Sequence, residues 1–150
     1  MALEKRISEL TAKVGAIEDT DLMVISDYNG ATYDTKKVTG LQINPYKVYL
    51  ANITQTSTSA PVVNFSYSEL SGTLTFTRIN TGEYLITNSV AEFTLNKTFV
   101  FNNAGDGTII KYYQYLIAST TQIYIYAYNN AGSPSDALLT KNSLEIKIIK

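Results

Sequence analysis

The sequence predicts a mainly β protein: a C-terminal antiparallel β-sandwich preceded by a short N-terminal coiled-coil helix and a β-hairpin. Three observations predict it. From Tyr46 onwards, short runs of apolar and polar residues alternate with a period of two and are separated by Gly, Asn, Ser and Pro, the pattern of half-buried strands. An Asn29-Gly30 step separates two further strand-like runs, and Asn-Gly is a strong hairpin signal because both residues tolerate positive φ. At the amino end, Leu3, Ile7, Leu10, Val14 and Ile17 recur at spacings of four, three, four and three, the seam of a coiled coil rather than the broader stripe of a core-facing helix.

The helix is expected over residues 1–20, ending at the acidic run Glu18-Asp19-Thr20-Asp21 after Gly15. With Ile7 and Val14 at a and Leu3, Leu10 and Ile17 at d, Lys13 falls at g and Glu18 at the following e, so parallel chains can pair them. Helices shorter than roughly 12–15 residues are marginal alone in water, so this seam needs cover, either from other copies or from the chain's own β-domain. β-Branched a positions with Leu at d favour two strands, while Ile17 at d favours three.

The hairpin, Leu22–Ser26 and Thr32–Thr39 about Asn29-Gly30, is assigned to a collar or attachment segment at 21–45. A lone hairpin is only marginally stable, so it is expected to pack beneath the helical bundle or on a neighbouring chain. The sandwich is assigned to 46–150. Its strands are read at Lys47–Thr54, Val62–Tyr67, Thr73–Arg78, Glu83–Ile86, Lys97–Phe101, Thr108–Leu116, Gln122–Tyr128 and Leu144–Ile149. The last alternates Leu144, Ile146 and Ile148 with Glu145 and Lys147, which reads as a charged, exposed edge.

Composition narrows the function classes. The 150 residues carry twelve Lys and Arg against thirteen Asp and Glu, a net charge of −1, so no basic patch is evident for nucleic acid. No apolar run reaches the roughly 18 residues of a membrane span, and MALEKR does not read as a secretory signal. Cysteine and histidine are absent, which removes disulfides, thiolate metal sites and imidazole-based catalysis. Carboxylates are the remaining acid–base groups, and Glu69, Glu83, Glu92, Asp106, Asp136 and Glu145 are dispersed singly rather than paired for polysaccharide cleavage. The Asn-rich loops 102–107 and 129–136 lack the convergent carboxylates of a calcium loop. No catalytic residue, cofactor or metal is assigned.

The stretch with most character is KYYQYLIASTTQIYIYAYNN. Tyr124, Tyr126 and Tyr128 share one face of a strand, Tyr113 and Tyr115 share a face of the strand before it, and a turn at Ser119–Thr121 is expected to bring the two sets near each other. Such phenols serve as cross-strand packing, as a subunit contact, or as a flat surface with a polar rim that suits sugar rings.

The run Ile17-Glu18-Asp19-Thr20-Asp21-Leu22-Met23-Val24-Ile25, with Tyr33-Asp34-Thr35-Lys36-Lys37-Val38-Thr39, resembles a short-helix-and-hairpin module near the start of tailed-phage fibre and appendage proteins. Tyr46–Tyr49, Ala60-Pro61, Thr75–Arg78, Gly82–Tyr84 and Phe93–Thr98 resemble a β-domain at the ends of such proteins, familiar in phages and prophages of Bacteroidota, crAss-like phages among them. Phe76 stands where similar domains often hold Trp. The resemblance covers nearly the whole chain and transfers no catalytic residue. It implies a virion component, assembled in the bacterial host cytoplasm and commonly homotrimeric, with one end docked to capsid, collar or tail proteins and the β-domain outward. Two functions are expected from residues and resemblance together: a non-enzymatic structural subunit self-assembling through its helix, or an adhesin recognising host surface glycan. No nucleic acid or membrane insertion is expected of either.

Overall fold

A computed structural model describes residues 22–28, 30, 31, 33–39, 44–104 and 111–150. The chain divides into two units, Met1–Asn44 and Pro45–Lys150. The expected helix, with Leu3, Ile7, Leu10, Val14 and Ile17, lies outside the described residues.

In the first unit, β1 (Leu22–Tyr28) and β2 (Tyr33–Thr39) pair antiparallel from Leu22↔Thr39 to Tyr28↔Tyr33. Gly30 takes φ of +95° in the connection, a conformation that costs glycine little because it has no Cβ.

The second unit is mainly β. Among the described residues its eight strands are β3 (Tyr46–Thr54), β4 (Val62–Ser68), β5 (Leu74–Asn80), β6 (Glu83–Asn88), β7 (Thr98–Ala104), β8 (Tyr112–Ile117), β9 (Gln122–Tyr128) and β10 (Asn142–Ile149). They form two antiparallel four-stranded sheets in the orders β4-β3-β10-β7 and β5-β6-β9-β8. One hydrophobic cluster draws Tyr49, Ala51 and Ile53 from β3 and Leu144, Ile146 and Ile148 from β10, together with Tyr84 and Ile86 from β6 and Ile123, Ile125 and Ala127 from β9. The two sheets thus share one core in a sandwich-like arrangement, with Phe93, Leu138 and Leu139 added from connections. Because Cβ atoms alternate along a strand, each of these strands buries every second residue and presents the others outward.

Three expectations are corrected. β10 is no edge: it pairs with β3 on one side and β7 on the other. Its alternation reports one buried face, and Glu145 and Lys147 stand on the outer face of a central strand. The edges are β4, β7, β5 and β8. The stretch Asn102–Ala104 is no loop either, since Asn102 pairs with Leu144 and Asn103 with Ser143. Tyr113 and Tyr115 face the core, on the opposite side of the sheet from Tyr124, Tyr126 and Tyr128.

Two bulges bend the edge pairs. Asn64 is the extra residue between the pairs Asn52↔Phe65 and Ile53↔Val63, and its amide donates to Asn52 Oδ1 (3.2 Å) and Thr54 Oγ1 (2.8 Å). Ile79 is the extra residue between Arg78 and Asn80.

Candidate functional site

Tyr124, Tyr126 and Tyr128 all project from the outer face of β9, while Ile123, Ile125 and Ala127 between them enter the core. The rings of Tyr124 and Tyr126 stack with centroids 6.1 Å apart and planes at 12°, a favourable arrangement for aromatic neighbours. Across the β8–β9 register, Tyr112 faces Tyr128, Gln114 faces Tyr126 and Leu116 faces Tyr124. On the other side, Glu83 faces Tyr126 and Leu85 faces Tyr124. The tyrosines therefore sit mid-sheet with an exposed rim at Tyr112 and Leu116.

Tyr113 and Tyr115 lie on the opposite face of β8 and pack against the core. The expected turn forms, but the register Tyr113↔Ala127 and Tyr115↔Ile125 sets each phenol beside an inward residue. A one-residue difference in pairing decides which face a side chain takes, and here it places Tyr112, not Tyr113 or Tyr115, with the β9 tyrosines. The Tyr113 hydroxyl donates to Leu138 O at 2.8 Å and accepts from Asn142 Nδ2 at 3.2 Å. Burial raises the Tyr115 pKa, an effect partly offset by the Asn102 amide. That amide lies near enough to influence Tyr115, yet no hydrogen bond of normal geometry joins them.

At the Tyr126–Tyr128 end, the ladder opens into a cleft of about 370 Å³ lined also by Asn80, Gly82, Glu83 and Pro134. The Tyr126 pKa is raised by desolvation and by the neighbouring Glu83 carboxylate, with smaller contributions from Tyr124 and Tyr128. Phenol rings, a carboxylate acceptor and an amide at one opening can stack on a flat ligand and bond its hydroxyl groups.

Two of the dispersed acids, Glu92 and Asp136, are held by several structural partners. Glu92 Oε1 lies 2.6 Å from Lys47 Nζ and accepts from Ser71 Oγ at 2.9 Å, while Oε2 accepts from the Ser71 backbone N–H at 3.0 Å and Asn88 Nδ2 at 3.1 Å. Burial works to raise its pKa, but the bonds from Lys47, Ser71 and Asn88 prevail and hold it at about 2. Asp136 is gripped by Arg78 through Nε at 3.0 Å and an Nη at 2.7 Å, and also accepts from the Gly82 N–H at 3.1 Å and the Tyr84 hydroxyl at 3.0 Å. The Arg78 fork lowers its pKa against an opposing effect of burial. Tyr84 is raised by burial and by its bond to Asp136. The same hydroxyl proton is shared with Gln55 Oε1 at 3.1 Å, which also accepts the Ala137 N–H.

Sequence reading missed both networks, because all their partners but Asn88 are distant in sequence and no local motif marks them. It also missed the outer face of the other sheet, where Leu50, Phe65, Tyr67, Phe99 and Phe101 are exposed. Alternation in β7, Thr98-Phe99-Val100-Phe101, was a usable signal, since two large aromatics fall on the same face. Among the described residues, no group of three or more acids could hold a metal ion, and no helix is long and apolar enough to cross a membrane. No protein-family model matches the chain, and no curated protein or solved structure matches it.

Proposed function

We propose that the chain is a non-enzymatic structural subunit of a tailed-phage appendage, a fibre or decoration protein, that self-assembles through Leu3, Ile7, Leu10, Val14 and Ile17. The observation that carries this reading is the division of labour in the β-domain. The best-connected acids tie its sheets together, while both sheets present aromatic side chains outward, as suits a building block meeting other surfaces. The sequence resemblance points the same way and adds a homotrimer. Light scattering on the full chain at micromolar concentration is expected to give a multiple of the 16.6 kDa chain mass. The mass of a single chain would overturn the reading.

The cleft beside Tyr126 and Tyr128 favours a second reading, an adhesin for host surface glycan. On that reading Tyr126→Ala abolishes binding on a glycan array while the circular dichroism spectrum stays that of the parent. An array silent across host polysaccharides removes it.

A further inference from the structure

The outer face of the β4-β3-β10-β7 sheet carries a pattern that the N-terminal seam does not explain. On its edge strands Phe65, Tyr67 and Phe101 are 69%, 52% and 51% exposed, values that leave most of each ring in water. A groove of about 430 Å³ runs between Phe65 and Phe101 across Leu50, Asn52, Ser143 and Glu145. A second hollow of about 300 Å³ lies beyond Phe101, against Tyr46, Phe99, Lys147 and Ile149. Four strands about 4.8 Å apart and some seven residues long present about 450 Å² in projection, a face of mixed apolar and polar side chains whose size suits a weak contact between proteins.

The charges on this face point to its occupant. At the outward positions of the four strands only Glu145 and Lys147 are charged; they lie 3.0 Å apart, and Lys147 Nζ sits 5.7 Å from the centre of the Phe101 ring. Glu69, just past the end of β4, accepts from the exposed Tyr67 hydroxyl at 3.0 Å and adds a carboxylate at one corner, while the two central charges have opposite sign and stand on either side of Ile146. A two-fold axis lying against the sheet, perpendicular to the strands at the level of Ile146, sets Glu145 over Lys147 of a second copy and Lys147 over its Glu145. The register places Leu50 and Phe101 level with Glu145, and Val48 and Phe99 level with Lys147. The same rotation therefore lays Phe101 on Phe99 and Leu50 on Val48. Facing sheets whose strands run nearly parallel or antiparallel are an ordinary packing, and a two-fold contact of this kind closes on a pair.

We infer that this face is a self-association surface, joined across a two-fold axis to the same face of a second copy through paired aromatic rings and reciprocal Glu145–Lys147 contacts. It is a contact separate from the N-terminal seam and holds whether or not that seam assembles.

Charge complementation tests it in the full chain carrying Ile7→Asp, which charges the seam. Sedimentation of that parent is expected to show dimers in the micromolar range. Glu145→Lys places four positive charges at the axis and Lys147→Glu four negative ones, so each variant alone associates at least roughly tenfold more weakly. An equimolar mixture of the two restores opposite charges across both contacts and recovers the dimer. Phe101→Asp weakens association without rescue by either variant. A monomeric parent, single variants that associate as the parent does, or a mixture that stays dissociated would each overturn the inference. The seam proposal is decided separately: the chain without Ile7→Asp should have a larger mass than this parent, and equal masses would overturn the seam while leaving the face contact standing.

Discussion

Glu92 and Asp136 show how a carboxylate becomes structural. Apart from Asn88, four residues before Glu92, their partners are distant in sequence, and each collects bonds from several strands or turns. Glu92 has a pKa of about 2 in the fold against an ordinary 4.5. The folded state thus binds its proton less readily than the unfolded chain does, and its contribution to stability is complete above about pH 4.5 and lost as the pH falls towards 2. Glu92→Gln is expected to cost about 1–3 kcal/mol near neutral pH, because the ion pair with Lys47 goes while part of the hydrogen bonding stays. Urea unfolding followed across the acid range checks this: the gap between variant and parent should close as pH approaches 2. A gap independent of pH would mean that shape, not charge, sets the cost.

At the scale of elements, the turns decide where strands can meet. Gly82 begins the pairing of β6 with φ of +66°, and a Cβ there would stand 2.5 Å from Ala127 O and 2.6 Å from Ser135 N. Gly132 also has positive φ, +76°, but open space around it. Gly132→Ala should therefore cost only the left-handed backbone penalty, about 1 kcal/mol. Gly82→Ala adds a clash with backbone that cannot swing away and should cost at least about 2–3 kcal/mol. Thermal unfolding of the two variants measures the difference, and equal losses would refute the close approach. Asn129 supports the same loop by accepting from the Ala131 and Ser133 N–H groups at 3.0 and 3.1 Å, an Asx-type turn of the sort its Asn-Gly composition suggested.

For the whole β-domain, the two polar networks sit at opposite ends of β6, one at Tyr84 and the other at Asn88. Each reaches the other sheet through β3, by way of Gln55, which follows its last residue, and Lys47 near its start. Between them lies the core shared by both sheets, so the sheets should unfold together. Ile146→Ala, at a position with no exposure, is expected to lower stability by about 2–4 kcal/mol. Far-ultraviolet circular dichroism, reporting both sheets, and tyrosine fluorescence, to which buried Tyr84 contributes, should still move in one transition. Two separated transitions would show that the shared core does not couple the sheets.

The strands were legible because burial on one face imposes a period of two on any chain that forms them, and all eight in the β-domain lie where that period appears in the sequence. The Asn-Gly hairpin was legible for a similarly local reason, the positive φ of Gly30. What neighbours what was not. β10 is central because the chain returns between β3 and β7, and a strand's own alternation is the same at an edge as in the middle. Likewise, composition announced the tyrosines, but only the β8–β9 register could send Tyr113 and Tyr115 inward and leave Tyr124, Tyr126 and Tyr128 outside. By itself the sequence determined the period and the turns, which are properties of a few adjacent residues. Tertiary structure alone decided strand order, the partners of Glu92 and Asp136, and the aromatic face around Phe101, because each depends on residues that only long-range pairing brings together.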